Sequence, residues 1–382
     1  MNQYQKVIRG RGCLRKLPDL MTVLSVRKPL IVGMEPLTST LLKKNPSLLA
    51  SPVFSGFHPN PDLADTEAGA EVYRREECDG LISIGGGSSI DTAKAIKARL
   101  YARTEDDVIH SCLTTDIPCP HIAIPGTAGT GSEATQIAVV YVNDLKVSLN
   151  HEALRPDGVL MDSVLLDSLP LYHKKSCALD ALSQGIESYW SKRSNDDSRV
   201  HAYLAVIGVL DNLKAYLAGD PHAADEMLDA SFQSGKAIQI TRTTAAHAMS
   251  YMLTKRLGLA HGHACMLTLP ILWEMMQEHE AMQGVLQDLS LKMRLGDMRM
   301  VPHLLKGILY DLEMDIPPVP DEELLEELAA SVNTERLNNH PVSMTTEEIK
   351  TVYRRAMLPV NENVKRACLD IWRYYGRGEH DE

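Results

Sequence analysis

Three glycines in a row, Gly85, Gly86 and Gly87, are followed by Ser88 and Ser89, and the loop stands between an apolar run at 81–84 and a helical pattern at 90–96. Glycines lack Cβ atoms, so backbone amides there can approach an anion closely. The positive end of the following helix then favours a pyrophosphate. A second strand-like run, 121–124, opens into residues 125–135, where Thr127, Thr130 and Ser132 bring hydroxyls toward the same ligand. Two such loops belong at the carboxyl edge of one parallel sheet, where open α/β folds bind ligands. A phosphate-containing cofactor is the leading reading. The spacing is not GxGxxG, so the domain is a variant of the usual dinucleotide fold.

A second constellation lies downstream. Asp180 and Gln184 are four residues apart and share a helix face, which Glu187, Ser188 and Ser191 continue. Thr243 and His247 repeat that spacing, and His261 and His263 flank Gly262 in an expected loop before a helix starting near Met266. Asp180, His247 and His261 together read either as a metal site or as a proton-transfer site, because carboxylate and imidazole serve both chemistries. One histidine among fourteen is more often structural, so the weight lies in the combination. Arg242 and Lys192 stand beside these residues and would suit an anionic substrate, a guanidinium binding oxyanions as a fork. Lys192 and Arg193 read equally well as solvated surface charge.

The elements that would position these groups change character along the chain. Up to about residue 165, short apolar runs at 30–32, 53–57, 81–84, 121–124, 138–142 and 159–161 alternate with helical patterns, the signature of an α/β domain with a mostly parallel sheet. Beyond it, 176–190, 197–217, 224–239, 267–277 and 321–332 show only helical spacing, so an all-α second domain is expected. The expected division is 1–165 and 166–382, with a cleft between. Asp321, Glu322 and Glu323 give an acidic first turn, and Thr345 with Glu348 spell a capping box.

Composition sets the outer bounds. The 382 residues are 44% hydrophobic and 23% charged, ordinary for a globular chain. A net charge of −11 argues against sequence-independent binding to nucleic acid. No apolar run approaches the roughly 20 residues needed to span a bilayer, and no targeting segment is visible at the start. Seven cysteines without a CxxC pair indicate neither a disulfide framework nor a thiolate zinc site, and reduced thiols in a cytoplasmic compartment fit best.

Taken in order, the motifs resemble the iron-containing (group III) alcohol dehydrogenase family. They are Gly10 to Leu14, GGGSSIDTAKAI at 85–96, PGTAGTGSEAT at 125–135, RPDGVLMD at 155–162, DALSQGIESYW at 180–190, and the segments around His247 and His261. The resemblance implies a dinucleotide-binding domain followed by a helical one, an NAD or NADP cofactor, and reversible oxidation of an alcohol to an aldehyde. It assigns the cofactor to Gly85, Gly86, Gly87, Ser88, Asp91, Thr127, Thr130 and Ser132, with Lys146 as a ribose contact. The family's metal, Fe or Zn, is held by one Asp and three His. Here those positions read Asp180, Gln184, Thr243 and His261, so two ligands are changed, and His247 either joins the set or serves as a proton relay. The particular variant looks like the branch containing phosphonoacetaldehyde reductases, also called hydroxyethylphosphonate dehydrogenases. That implies a small anionic aldehyde or alcohol as substrate and allows a homo-oligomer. Dehydroquinate synthases, which use NAD in a cyclising elimination, share the fold and form the second reading. A non-catalytic dinucleotide-binding homologue is the third. Met34 and Glu35 after the first cofactor strand leave NAD and NADP both open.

Overall fold

The computed structural model describes residues 5–58, 61–115, 118–142, 145–332 and 334–375. Among them are eight strands: β1 (Lys6–Arg9), β2 (Pro29–Gly33), β3 (Val53–Phe54), β4 (Gly80–Gly85), β5 (His121–Pro125), β6 (Ile137–Val142), β7 (Leu145–Asn150) and β8 (Gly158–Met161). The helices are α1 (Leu17–Val23), α2 (Leu37–Lys44), α3 (Leu63–Arg75), α4 (Gly87–Tyr101), α5 (Glu105–Ile109), α6 (Leu171–Trp190), α7 (Asp196–Leu217) and α8 (Pro221–Thr241). They continue as α9 (Ala245–Leu257), α10 (His261–Gln277), α11 (Glu280–Lys292), α12 (Val301–Asp311), α13 (Glu322–Ala330), α14 (Thr334–Asn338), α15 (Thr346–Ala356) and α16 (Glu362–Tyr374). None is long and apolar enough to cross a membrane.

Six strands form one parallel sheet in the order β1-β8-β5-β4-β2-β3. Its central strands are buried on both faces, as continuous apolar runs in a parallel sheet require. Alternation within β2 shows the two layers: Ile31 packs with Leu17, Leu20 and Leu41 of α1 and α2, whereas Leu30 and Val32 pack with Ala70 and Ile96 of α3 and α4. The expected α/β architecture is therefore present, with two corrections: β1, whose Lys6 and Arg9 leave it only two apolar residues, joins the sheet edge although it is not among the expected runs, and one expected run lies elsewhere. The run at 138–142 does not join the main sheet. As β6 it pairs antiparallel with β7, a strand the sequence pattern missed because Lys146, Ser148 and Asn150 break its apolar character.

The described chain divides into two units, 1–170 with 218–239, and 171–217 with 240–382. The expected cut near 165 is a single one, whereas here most of α8 returns to the first unit. It packs there so closely that a Cβ on Gly235 would lie 2.8 Å from the backbone carbonyl carbon of Gly131.

The second unit has helices and no strand among its described residues. Helix α10 is buried along nearly its whole length and packs on α6, α9, α12 and α15. Glu322 and Glu323 form the acidic first turn of α13, while Asp321, expected in that turn, is instead its N-cap through the Leu324 amide at 2.9 Å; Thr345 and Glu348 cap α15 reciprocally, as the sequence signals.

Candidate active site

In the first unit, β3 lies on one side of β2 and β4 on the other, so the chain reverses direction across the sheet at that point. Helix α2 after β2 and α4 after β4 cover opposite faces, which leaves a crevice at the strand ends. The crevice is a cavity of about 320 Å³ lined by residues 34–37, 84–89 and Gly126, with Phe57, Leu165 and 168–170 completing its wall. Gly85 adopts φ +143°, and a Cβ on it would strike Ser89, so no other residue fits this turn comfortably. A Cβ on Gly86 would meet Thr127 at 3.3 Å, and one on Gly87 would meet Thr130 at 3.0 Å. The bare turn at the head of α4 is thus flanked by two hydroxyl-bearing side chains, a cradle suited to a diphosphate. Glu35 stands at the cavity wall, its carboxylate held below the usual range first by the Ser39 hydroxyl, at 2.7 Å, and then by Thr38.

Asp91 and Ser132 have a different placement. The Ser132 hydroxyl donates to the Asp91 carboxylate, which also accepts from the Val139 amide at 3.0 Å, and the cavity wall includes neither residue. Next to them the fully buried Lys94 ammonium donates to Ser132 O at 2.6 Å, Ser132 Oγ at 2.9 Å, Thr135 Oγ1 at 3.0 Å and Ile137 O at 2.7 Å. These contacts brace the 125–135 loop. Lys146 lies on β7, close enough for its charge to act on Asp91.

In the second unit, α6, α9 and α10 bring Asp180, His247 and His261 together. His247 Nδ1 is hydrogen-bonded to Glu187, and its Nε2 faces Asp180 Oδ1 at 3.2 Å. Glu187 also accepts from the Thr244 hydroxyl at 2.6 Å and the Ala246 amide at 2.8 Å. Both of its oxygens are therefore engaged. Burial opposes the charge on His247, but Cys265, Glu187 and Asp180 outweigh it and raise the imidazole well above its usual pKa. Burial likewise opposes ionisation of Asp180 and Glu187, and the neighbouring histidines hold both below the usual carboxylate range.

His261 corrects the sequence reading, because it is the first residue of α10 and not part of a loop ending near Met266. That earlier start places Cys265 one turn beyond it, with Sγ 4.0 Å from His261 Nε2. Burial would raise the Cys265 thiol, but His247 and His261 bring it down to about 7. Sequence reasoning passed over Cys265 in looking for CxxC. The usable signal was its spacing of four from His261. Glu187 was visible only as a residue on the Asp180 face.

Gln184 is buried and bonds Asp180 through its side chain. Thr243 accepts a hydrogen bond from Arg336 of α14, a residue the sequence did not single out. Arg242 is half-buried in a left-handed backbone conformation, φ 62°, between α8 and α9. Lys192 is exposed, and its ammonium bonds the Asn338 carbonyl at 3.0 Å.

With this geometry established, two family models match the chain. One described as iron-containing alcohol dehydrogenase covers residues 5–163, and one described as the Fe-containing alcohol dehydrogenase family, C-terminal, covers 175–357. The chain belongs to the iron-containing alcohol dehydrogenase family. Among relatives, it is 37% identical over 227 residues to a phosphonoacetaldehyde reductase of Streptomyces viridochromogenes, covering 56% of this chain and 57% of that protein. It is 31% identical over 226 residues to a 1,3-propanediol dehydrogenase of Klebsiella pneumoniae, covering 57% and 58% of the two chains. The matched stretches thus span little more than half of these relatives' own lengths. The structure resembles a sulfoacetaldehyde reductase from Bifidobacterium kashiwanohense solved with NAD+, with a TM-score of 0.87, 26% identity, and 94% and 98% of the two chains covered.

The family implies both a nicotinamide dinucleotide and a metal. The glycine cradle and its cavity fit the first. The four positions that the resemblance gives to iron do not fit as a set, because the Thr243 hydroxyl is engaged by the Arg336 guanidinium, a cation, and Gln184 contributes only a neutral amide.

Proposed function

We propose that this protein is an NAD-linked oxidoreductase interconverting a small anionic aldehyde and its alcohol, acting in the reducing direction on a carbonyl next to a phosphonate or sulfonate group. The observation that carries this reading is the His247 ring, buried between Asp180 and Glu187 and beside His261. Two relatives support the substrate class, since each is named for reducing an aldehyde that carries a tetrahedral oxyanion.

Backbone amides at the head of α4 take the diphosphate, and Gly85, Gly86 and Gly87 keep that approach open. A nicotinamide, when bound, supplies the hydride exchanged with the carbonyl carbon. Glu35 is ionised at the cavity wall and disfavours a 2′-phosphate, which favours NAD over NADP. His247 holds a proton on Nε2 at a bond to Asp180 long enough, at 3.2 Å, for a substrate oxygen to compete for it. Passing that proton to the carbonyl oxygen yields the alcohol, and Glu187 keeps the ring oriented throughout. Arg336, bonded to Thr243 one turn before His247, and Arg242 beside it are the residues assigned to the substrate anion. Lys192, with its ammonium on a backbone carbonyl, is assigned a lesser part.

A panel of aldehydes with and without a phosphonate or sulfonate group, followed by nicotinamide absorbance, tests the reading. The expected result is a kcat/KM at least about tenfold higher for the anionic members, reduced to parity in Arg336→Ala, as loss of one charge-assisted contact implies. Equal kcat/KM for neutral aldehydes in the parent protein overturns the substrate class.

A further inference from the structure

We infer that Asn339 is a positioning residue for anion specificity: it fixes the turn that carries Arg242 against the helix that carries Arg336, and so sets the pair of guanidiniums that selects an aldehyde bearing an oxyanion. The inference deepens the proposed function and rests on it for the part given to the two arginines.

Arg242 takes a left-handed backbone conformation, φ 62°, immediately past the last residue of α8. A left-handed residue is a common way to end a helix, but glycine or asparagine ordinarily supplies it, because a Cβ there crowds the backbone. Here a long cationic side chain holds the position instead. Such a residue persists only where its surroundings hold it, and positions of this kind gather at functional sites.

The groups that hold it converge on Asn339, which is buried. Its Nδ2 donates to the Thr241 carbonyl at 2.7 Å and to the Thr243 carbonyl at 3.0 Å, the two carbonyls on either side of Arg242. The Arg242 carbonyl accepts from the Thr241 hydroxyl at 2.8 Å. Three successive carbonyls of the turn thus have side-chain donors. Carbonyls can only accept, so the amide nitrogen of Asn339 must face them, and both of its protons are then used. The Ser191 hydroxyl, 3.3 Å from the Thr241 carbonyl, donates to Asn339 Oδ1 at 3.0 Å and fixes the amide from its other side.

The same residue anchors α14. Asn339 follows that helix directly, and its backbone amide donates to the Arg336 carbonyl at 3.1 Å. Its own carbonyl accepts from the Lys192 amide, just past α6, at 3.2 Å. Arg336 in turn reaches from α14 to the Thr243 hydroxyl, next to Arg242. One buried amide therefore registers the backbone of Arg242 against the helix of Arg336. Two guanidinium forks on one tetrahedral oxyanion need a set separation, whereas a single fork does not. Asn339 acts through the arginines and touches no substrate.

The test measures kcat and KM of the full chain for a phosphonate-bearing aldehyde and for a neutral aldehyde of similar size, together with the dissociation constant of ethylphosphonate, an unreactive anion. Asn339→Ala should raise the KM of the anionic aldehyde about tenfold, as loss of one charge-assisted contact implies, and move its kcat and the KM of the neutral aldehyde far less. The ethylphosphonate constant should rise in step. In an Arg242→Ala background the same substitution should change that constant by no more than about twofold, because a pair with one member gone has no spacing to set. Ser191→Ala leaves the Asn339 amide in place but loosens its orientation, so it should act in the same direction and more weakly. Equal losses for neutral and anionic aldehydes, an unchanged ethylphosphonate constant in folded Asn339→Ala, or fully additive effects of Asn339→Ala and Arg242→Ala each overturn the inference. Where Asn339→Ala fails to fold, an unchanged ethylphosphonate constant in Ser191→Ala overturns it. A preference for anionic aldehydes that Asn339→Ala leaves intact overturns this inference and leaves the proposed function standing. Ethylphosphonate binding weakened less than additively by Arg242→Ala and Asn339→Ala, in protein that reduces no aldehyde, does the reverse.

Discussion

Gly262 and Asp180 touch backbone to backbone: a Cβ on the glycine would lie 2.6 Å from the aspartate nitrogen and 2.7 Å from its Cβ. The spacing between α6 and the start of α10 is set there, and with it the distance from Asp180 to His261. Gly262→Ala must push the two helices apart, at a cost of about 1–3 kcal/mol typical of overpacking. Expected are a lowered melting temperature and a loss of turnover larger than the loss of stability. A variant with full activity would show that the close approach does not position the site.

On the proposed mechanism Glu187 acts through His247, to which it is hydrogen-bonded, and is a positioning residue. Glu187→Gln keeps the volume and removes the charge that holds the ring. Turnover should fall by about 10–100-fold with the NAD dissociation constant unchanged. The accompanying sign is fixed: the His247 pKa falls when a stabilising carboxylate is removed, so the limb of the pH–rate profile that reports it should move to lower pH. An unmoved limb together with reduced turnover would assign Glu187 a purely structural part.

Replacing Lys94 by Met tests the bracing of the 125–135 loop. Four acceptors would lose their buried ammonium, and Asp91 would lose the cation at 3.7 Å. Removing one side of a buried charge network costs about 3–5 kcal/mol. Denaturant titration should show that loss, and cofactor affinity should weaken with it.

Stability should fall on acidification in a defined window. Burial depresses His340 to about 4, against roughly 6.5 in the unfolded chain, and depresses His121 as well. A lowered imidazole pKa means that the unfolded state binds the proton first. The contribution is therefore whole above pH 6.5 and is lost as pH drops toward 4, by up to about 3 kcal/mol for His340. Denaturation midpoints at pH 7 and pH 5 should lie closer together in His340→Gln than in the parent.

At the cofactor cavity, Glu35→Gln should tighten NADP binding several-fold and leave NAD binding nearly unchanged. Fluorescence titration of each cofactor measures both. Equal effects on the two would show that the carboxylate does not face the ribose.

Local pattern alone determined most of the architecture. Apolar runs marked the central parallel strands, the glycine turn after β4 marked the wall of the cavity at the strand ends, and helical spacing marked the second unit, because each of these depends on neighbours a few residues away. The hairpin of β6 and β7 escaped because its outer residues are polar. The acid and imidazole residues were legible as types at helical spacing, but their partners were not. Glu187 on His247, Arg336 on Thr243 and Lys94 under the 125–135 loop are contacts across 38 to 93 positions, and no periodicity encodes them. The tertiary structure alone decided that α10 begins at His261, which brings the Cys265 sulfur against the His261 ring one turn further on. The physical reason is that a side chain's chemistry follows from which charges and backbones surround it, and only packing brings those together.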